Sequence, residues 1–241
     1  MKNLFLFLFL LVVFTSKAQD NRVSGLNSRQ FTKYWKVESE SPDYKVTFQG
    51  DTAEIVSPKG LTLWRKEKMS GKVTIEYDAC VVVESDGDRL SDLNCFWMAS
   101  DPQYPDNLWK REKWRSGIFL NCYSLQLYYL GYGGNHNSTT RFRRYDGDES
   151  GITNPKARPA ILKEYTDAGH LLKPNHWYHI KITNENNRVS YYIDGERLVD
   201  FRDAEPLREG WFGFRTTLSR TRITNFSYEC SSQEAADRKS V

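Results

Sequence analysis

From Phe31 onward the chain is a succession of short apolar runs broken by turn residues, and within the runs the hydrophobic spacing is two. Residues 72–84 (KVTIEYDACVVVE) show it best. Val73, Ile75, Tyr77, Ala79, Val81 and Val83 alternate with other positions, which predicts a strand with one buried face. The run 93–100 (LNCFWMAS) is expected to answer it across the turn SDGDRLSD. Upstream, KYWKVES, DYKVTFQGD, TAEIVSP and LTLWRK read as further short strands, punctuated by Asp51 and Gly60. Downstream, Tyr178, Ile180 and Ile182 alternate with His179 and Lys181. A turn at 184–187 follows, then Val189, Tyr191 and Ile193, then the hairpin signal Asp194-Gly195. WFGFRTTL and TRITNFSYEC are the last two predicted strands.

The middle of the chain, Trp114 to Asp146, is the most distinctive part. Two strand-like runs, SGIFLNCYS and LQLYYLGY, lead to a Gly133-Gly134 break, a polar tip from Asn135 to Thr140, and an arginine cluster. Polar stretches at 101–113 and 147–173 read as long loops, which in compact domains are usually functional or mobile. No run of helical length shows a 3.6-residue period. Many short strands without βα alternation predict an all-β fold, a sandwich or jelly roll, in a single domain over residues 19–230. The outer face of one sheet would then be open to a ligand.

The ends change the picture slightly. Residues 1–18 have a charged start, an apolar run from Leu4 to Phe14 too short to span a bilayer, and the small-x-small pattern Ser16-Lys17-Ala18. This predicts a secretory signal peptide and a secreted or periplasmic protein. Residues 231–241 are expected to be a polar tail. Removing residues 1–18 takes two lysines and no acids from the formal +3, leaving +1, so neither nucleic acid nor a membrane is expected as a partner. The charge is instead local: from Asn107 to Tyr145 seven Lys/Arg face one acid, Glu112, a focus of +6 suited to an anion. Cys80, Cys95, Cys122 and Cys230 remain. In an oxidising compartment they allow three pairings, Cys80–Cys95 across a hairpin among them, and they equally allow buried free thiols.

The closing pattern, W-Y-H-I-K-I, then Y-Y-I-D-G-E, then G-W-F-G-F-R, resembles the concanavalin-like jelly roll of secreted lectins, glucanases and polysaccharide lyases. SGIFLNCYS with LYYLGYGGNHNSTTRFRRYDG resembles a narrower group, small secreted sugar-degrading proteins of bacterial polysaccharide-utilisation clusters. One type in that group is an oligosaccharide dehydratase of ulvan breakdown. The resemblance implies a carbon–oxygen lyase that removes water from a non-reducing-end uronic acid and leaves a 4,5-unsaturated ring. The alternatives are a polysaccharide lyase on an acidic glycan and a non-catalytic carbohydrate-binding module. The E-x-D-x-x-E string of the glucanases is incomplete here: Glu76 and Asp78 are present but position 81 is Val, which disfavours hydrolysis by a carboxylate pair. Where the alginate-lyase branch has Q-I-H, this chain has Gln126-Leu127-Tyr128.

Elimination needs a group that neutralises the carboxylate, a base for the C5 proton and an acid for the departing oxygen. His136, on the glycine-flanked tip, is the candidate base. Tyr128 or Tyr132 is the candidate acid. Gln126 and Tyr128 share a face opposite Leu125, Leu127 and Tyr129 and would point outward if the leucines are core. Gln126, Asn137, Arg141, Arg143 and Arg215 are candidate substrate ligands, the guanidiniums for carboxylate or sulfate. Trp97 is a candidate stacking surface. No cofactor is expected. A structural calcium through Asp86, Asp88 and Asp92 is conceivable, though a hairpin turn explains those acids equally well. The expected partner is an anionic oligosaccharide, and the expected state is a monomer.

Overall fold

The structure, a computed structural model, describes residues 23–231; the leader and all but the first residue of the tail lie outside the described residues. Fourteen strands follow one another: β1 (Val23–Ser24), β2 (Trp35–Ser39), β3 (Lys45–Gln49), β4 (Thr52–Arg65), β5 (Met69–Ser70), β6 (Lys72–Val81) and β7 (Leu93–Ser100), then β8 (Gln126–Gly133), β9 (Thr139–Asp146), β10 (Lys163–Tyr165), β11 (Tyr178–Glu185), β12 (Arg188–Ile193), β13 (Glu196–Arg202) and β14 (Glu209–Ser231). The helical segments among the described residues are single turns, in keeping with the absence of a 3.6-residue pattern.

The strands make a β-sandwich, and all the pairings are antiparallel. The first layer runs β10-β9-β8-β7, then the early part of β14, the late part of β4, and β2. The second runs β13-β12-β11-β6, then the late part of β14, the early part of β4, and β3. Both β4 and β14 therefore serve both layers. The register of β14 on β4 shifts between Thr217 and Ser219, where Leu218 takes φ 50° and is exposed. The runs TAEIVSP and LTLWRK are thus one strand, and so are WFGFRTTL and TRITNFSYEC.

Alternation supplies the interior. Val73, Ile75, Tyr77, Ile180, Ile182 and Tyr191 from the second layer meet Cys95, Trp97, Tyr128, Leu130 and Phe214 from the first. Trp97 lies 6.1 Å from the Tyr191 ring and Tyr77 4.9 Å from Phe214, centroid to centroid. A second apolar cluster lies on the other face of the first layer. There Trp64, Phe96, Leu125, Leu127, Tyr129 and Tyr145 are covered by Leu108, Cys122 and Tyr123. The covering segment contains SGIFLNCYS, which forms a 3₁₀ turn (Leu120–Ser124) rather than the expected strand, because its apolar side chains cap a sheet face instead of extending one.

The 72–100 region also departs from expectation. β6 and β7 do not form a hairpin, because β14 lies between them. Cys80 registers with Arg222 and Cys95 with Phe214, eight positions apart along β14, far beyond disulfide reach. All four cysteines are free. Burial pushes the Cys95 and Cys122 thiols up to about 12, so both are inert packing groups.

Candidate functional site

A cavity of about 380 Å³ opens on the outer face of the first layer, within the range of sites that hold a small ligand. Strand register builds its floor. Arg141 on β9 stands opposite Gly131 on β8, Gly131 opposite Asn94 on β7, and Asn94 opposite Arg215 on β14. At the usual strand spacing the Arg141 and Arg215 backbones are roughly 14 Å apart, with a glycine and an amide between them. The next row along the strands carries Arg143 opposite Tyr129 and Tyr129 opposite Phe96. Phe119 and Tyr123 from the capping segment, Glu40 after β2, and Asn135 from the tip complete the walls.

The electrostatics are lopsided. Arg141 Nε donates to Glu164 at 2.5 Å, and Arg89 donates to Asp92 at 2.6 Å and to the Thr217 carbonyl at 2.9 Å. These two guanidiniums are neutralised by the protein. Arg143 donates only to the Pro159 carbonyl and has no ion pair among the described residues. Arg215 is buried, donates to the Gly117 carbonyl, lies over the Phe119 ring, and makes a long ion pair with Glu40 at 3.9 Å. Arg143 therefore faces the cavity without an ion pair among the described residues, and Arg215 with only a long one to Glu40, one on each side of Tyr129.

Tyr129 is 7% exposed, and its hydroxyl has no hydrogen-bond partner among the described residues. Burial pushes its pKa up and Asp92 adds to this, against the pull of Arg215 and Arg143, so the phenol holds its proton. Asn94 donates its amide to Asp92 at 3.2 Å, which fixes the side chain's orientation, and its buried Oδ1 is left without a partner. The phenol is open to solvent and the Asn94 carbonyl oxygen is buried without a partner, so on this floor the oxygen is the group that carries a desolvation cost.

Of the sequence candidates, the structure brings Arg141, Arg143 and Arg215 together at this cavity. Gln126 and Tyr128 do share a side of β8, but Tyr128 points into the interior between the layers. It is fully buried, donating to Asp203 at 2.7 Å and accepting from the Leu207 amide at 3.1 Å. Tyr132 is likewise interior and packs edge-on against Tyr178. Trp97 lies in the core between the sheets and offers no surface to a sugar. Asn137 staples the tip to Leu172, donating at 2.9 Å and accepting at 2.8 Å. His136 is exposed on the tip with φ 58°, outside the cavity lining, while Gln126 begins β8 at the far end. The length of β8 puts the two roughly 20 Å apart. The outward-facing residue of the tyrosine-rich strand is Tyr129. The leucines on its side are buried because the capping segment covers them, so burial does not mark this as the inner face.

Tyr129, Asn94, Glu40 and Arg89 were not among the sequence candidates, and Asp92 was considered only for calcium. One signal was available: the face that carries Leu125, Leu127 and Tyr129 ends at Gly131, whose missing side chain opens the floor. Of the acids considered for calcium, Asp88 accepts the amides of Glu84 and Ser85, and Asp92 is held by Arg89, Ser91 and Asn94. Among the described residues no three His, Cys, Asp or Glu side chains gather as a metal requires. No described helix is long and apolar enough to cross a membrane.

The fold is a concanavalin-like β-sandwich of the kind built by galectins and lectin domains. A Bacillus subtilis protein of unknown function with a galectin-like fold superposes with a TM-score of 0.66 at 16% identity, over 85% of this chain and 92% of that one. The Bacillus subtilis carbohydrate-binding module CBM66 gives 0.53 at 15% identity, over 81% and 94%. The exoplasmic/lumenal domain of VIP36, in its Ca²⁺/Man3GlcNAc-bound form, gives 0.56 at 8% identity, over 92% and 94%. At such identities the likeness is one of fold. By sequence the chain belongs to the family described as "Domain of unknown function (DUF6250)", whose profile matches residues 55–226. No curated protein matches it.

Proposed function

We propose that the cavity binds the carboxylate-bearing ring of an acidic oligosaccharide and that the protein is a carbon–oxygen lyase acting on that ring. The observation that carries this reading is the Tyr129 phenol, without a hydrogen-bond partner among the described residues, standing between Arg143, which has no ion pair there, and Arg215, whose ion pair to Glu40 is long at 3.9 Å. A guanidinium on a uronate carboxylate acidifies the proton at C5. Asp92, the cavity carboxylate oriented by Asn94 and Arg89, receives that proton. The C5–H electrons form the C4=C5 double bond, the C4–O bond breaks, and the leaving oxygen takes its proton from Tyr129. With a glycosidic oxygen at C4 the same residues would cleave the chain; with a free C4 hydroxyl at a chain end the leaving group is water. This is the dehydratase of ulvan-type oligosaccharides that the sequence resemblance implies. The carbohydrate-binding module and the mannose-oligosaccharide-bound domain of similar fold support a sugar as the ligand.

The test is incubation with ulvan oligosaccharides that end in a saturated uronic acid. Loss of one water in the mass spectrum with a rise in ultraviolet absorbance supports the dehydratase. Chain cleavage with the same absorbance identifies a polysaccharide lyase instead. Binding by calorimetry with no product identifies a carbohydrate-binding module. Arg143→Gln and Arg215→Gln are each expected to weaken binding by about tenfold or more, the worth of a charge-assisted hydrogen bond.

A further inference from the structure

Gly131 stands at the centre of the cavity floor, and a methyl group there meets one side chain above all. A Cβ built on it lies 2.3 Å from the Tyr129 hydroxyl oxygen, 2.8 Å from Cζ and 3.1 Å from Cε1. The phenol therefore lies across Gly131, in the space that any other residue would fill. We infer that Gly131 is a positioning residue: its missing side chain lets the Tyr129 phenol reach over the floor, beside Asn94 and between Arg141 and Arg215. The inference rests on the functional reading above, which makes Tyr129 the group that touches the reacting sugar.

Three features separate this glycine from those the fold itself requires. The Gly131 backbone is not in the left-handed region, so alanine adopts its conformation without strain. At Gly117, by contrast, φ is 71° and a Cβ meets the Gly60 carbonyl at 2.7 Å and the Glu40 amide at 2.8 Å, both immovable backbone. At Gly131 the obstacle is the far end of a side chain that can tilt about χ1 and χ2. The substitution displaces the phenol and leaves the strands in place. The ring has little freedom to do so harmlessly, because Phe96, Phe119 and Tyr145 surround it at centroid distances of 5.5, 5.6 and 5.8 Å. It must swing toward the cavity or away from the leaving oxygen.

The experiment is a double-mutant cycle on Gly131→Ala and Tyr129→Phe. Gly131→Ala is expected to keep the wild-type melting temperature within a few degrees. It lowers kcat by about 10- to 100-fold, the effect of misplacing a reacting group by an ångström, and moves KM much less. In the Tyr129→Phe background, Gly131→Ala is expected to cost no further activity, because the hydroxyl it displaces is already gone. Wild-type turnover in Gly131→Ala, or additive losses in the double variant, overturns the inference. Failure of the elimination reading is seen separately, as wild-type protein that converts no uronate substrate. In that event the phenol difference absorbance on titration with methyl β-glucuronide reads the positioning directly. A signal that is absent in Tyr129→Phe and altered in Gly131→Ala supports it, and one unchanged in Gly131→Ala overturns it.

Discussion

Arg115 donates to Glu38 at 3.0 Å, and both side chains are buried beneath the segment that walls the cavity. Arg115 also donates to the Leu108 carbonyl at 2.7 Å, so one guanidinium ties the capping segment both to itself and to β2. Arg115→Met leaves a buried carboxylate unpaired and is expected to cost about 3 kcal/mol or more in chemical denaturation. The double change Arg115→Met, Glu38→Leu is expected to recover much of that loss, since it removes the stranded charge. Equal destabilisation in the double variant would count against the pair as the anchor of this wall.

Two adjacent tyrosines are expected to divide stability from activity. Tyr128→Phe removes one hydrogen bond to Asp203 and one from the Leu207 amide, a loss of about 1–2 kcal/mol in stability with catalysis intact. Tyr129→Phe removes no hydrogen bond among the described residues, so the fold is expected to hold while turnover is lost. Thermal melts and initial rates on the same two proteins check both halves. A catalytic defect confined to Tyr128→Phe would remove Tyr129 from the mechanism.

His136→Ala is expected to leave binding and rate at wild-type values, because the imidazole lies on the exposed tip and outside the cavity. A large fall in kcat with an unchanged melt would bring the tip into the reaction.

Acid stability has a specific contributor in the second layer. Burial pushes the Glu54 carboxyl up, but hydrogen bonds from Arg220 and Arg222 outweigh it and hold the carboxyl below its ordinary 4.5. Because the folded value is the lower one, the stabilisation is present above about 4.5 and is lost as pH falls below that value through the folded one. Glu54→Gln is therefore expected to be the less stable protein near neutrality, with a shallower loss on acidification below pH 4.5. Denaturation midpoints across that range test this, and parallel curves would refute it.

The fold was legible because most strands have one dry face, and period two reports it directly, as at Val73 to Val81 and Tyr178 to Ile193. The orientation of β8 was not, because both its faces are covered: one by the opposite layer, the other by the segment around Cys122. Alternation correctly grouped Tyr128 with Gln126 and Tyr129 with the leucines. It does not report which group meets the cavity. The arginines were legible through charge density. Asn94 and Asp92 were not, since their role depends on strands brought together by β14, which no local pattern announces. The same long-range insertion of β14 turned an expected β6–β7 hairpin into two separated strands.

The strand that brings Arg215 to the cavity continues past Leu218 to hydrogen-bond with β6 on the opposite side of the molecule. With β4 doing the same, two unbroken lengths of backbone stitch the layers together. The sandwich therefore has no seam along which to gape. Any ligand meets a preformed floor, and whatever motion admits it belongs to the covering segment 101–125 and the 134–138 tip, not to the β-scaffold.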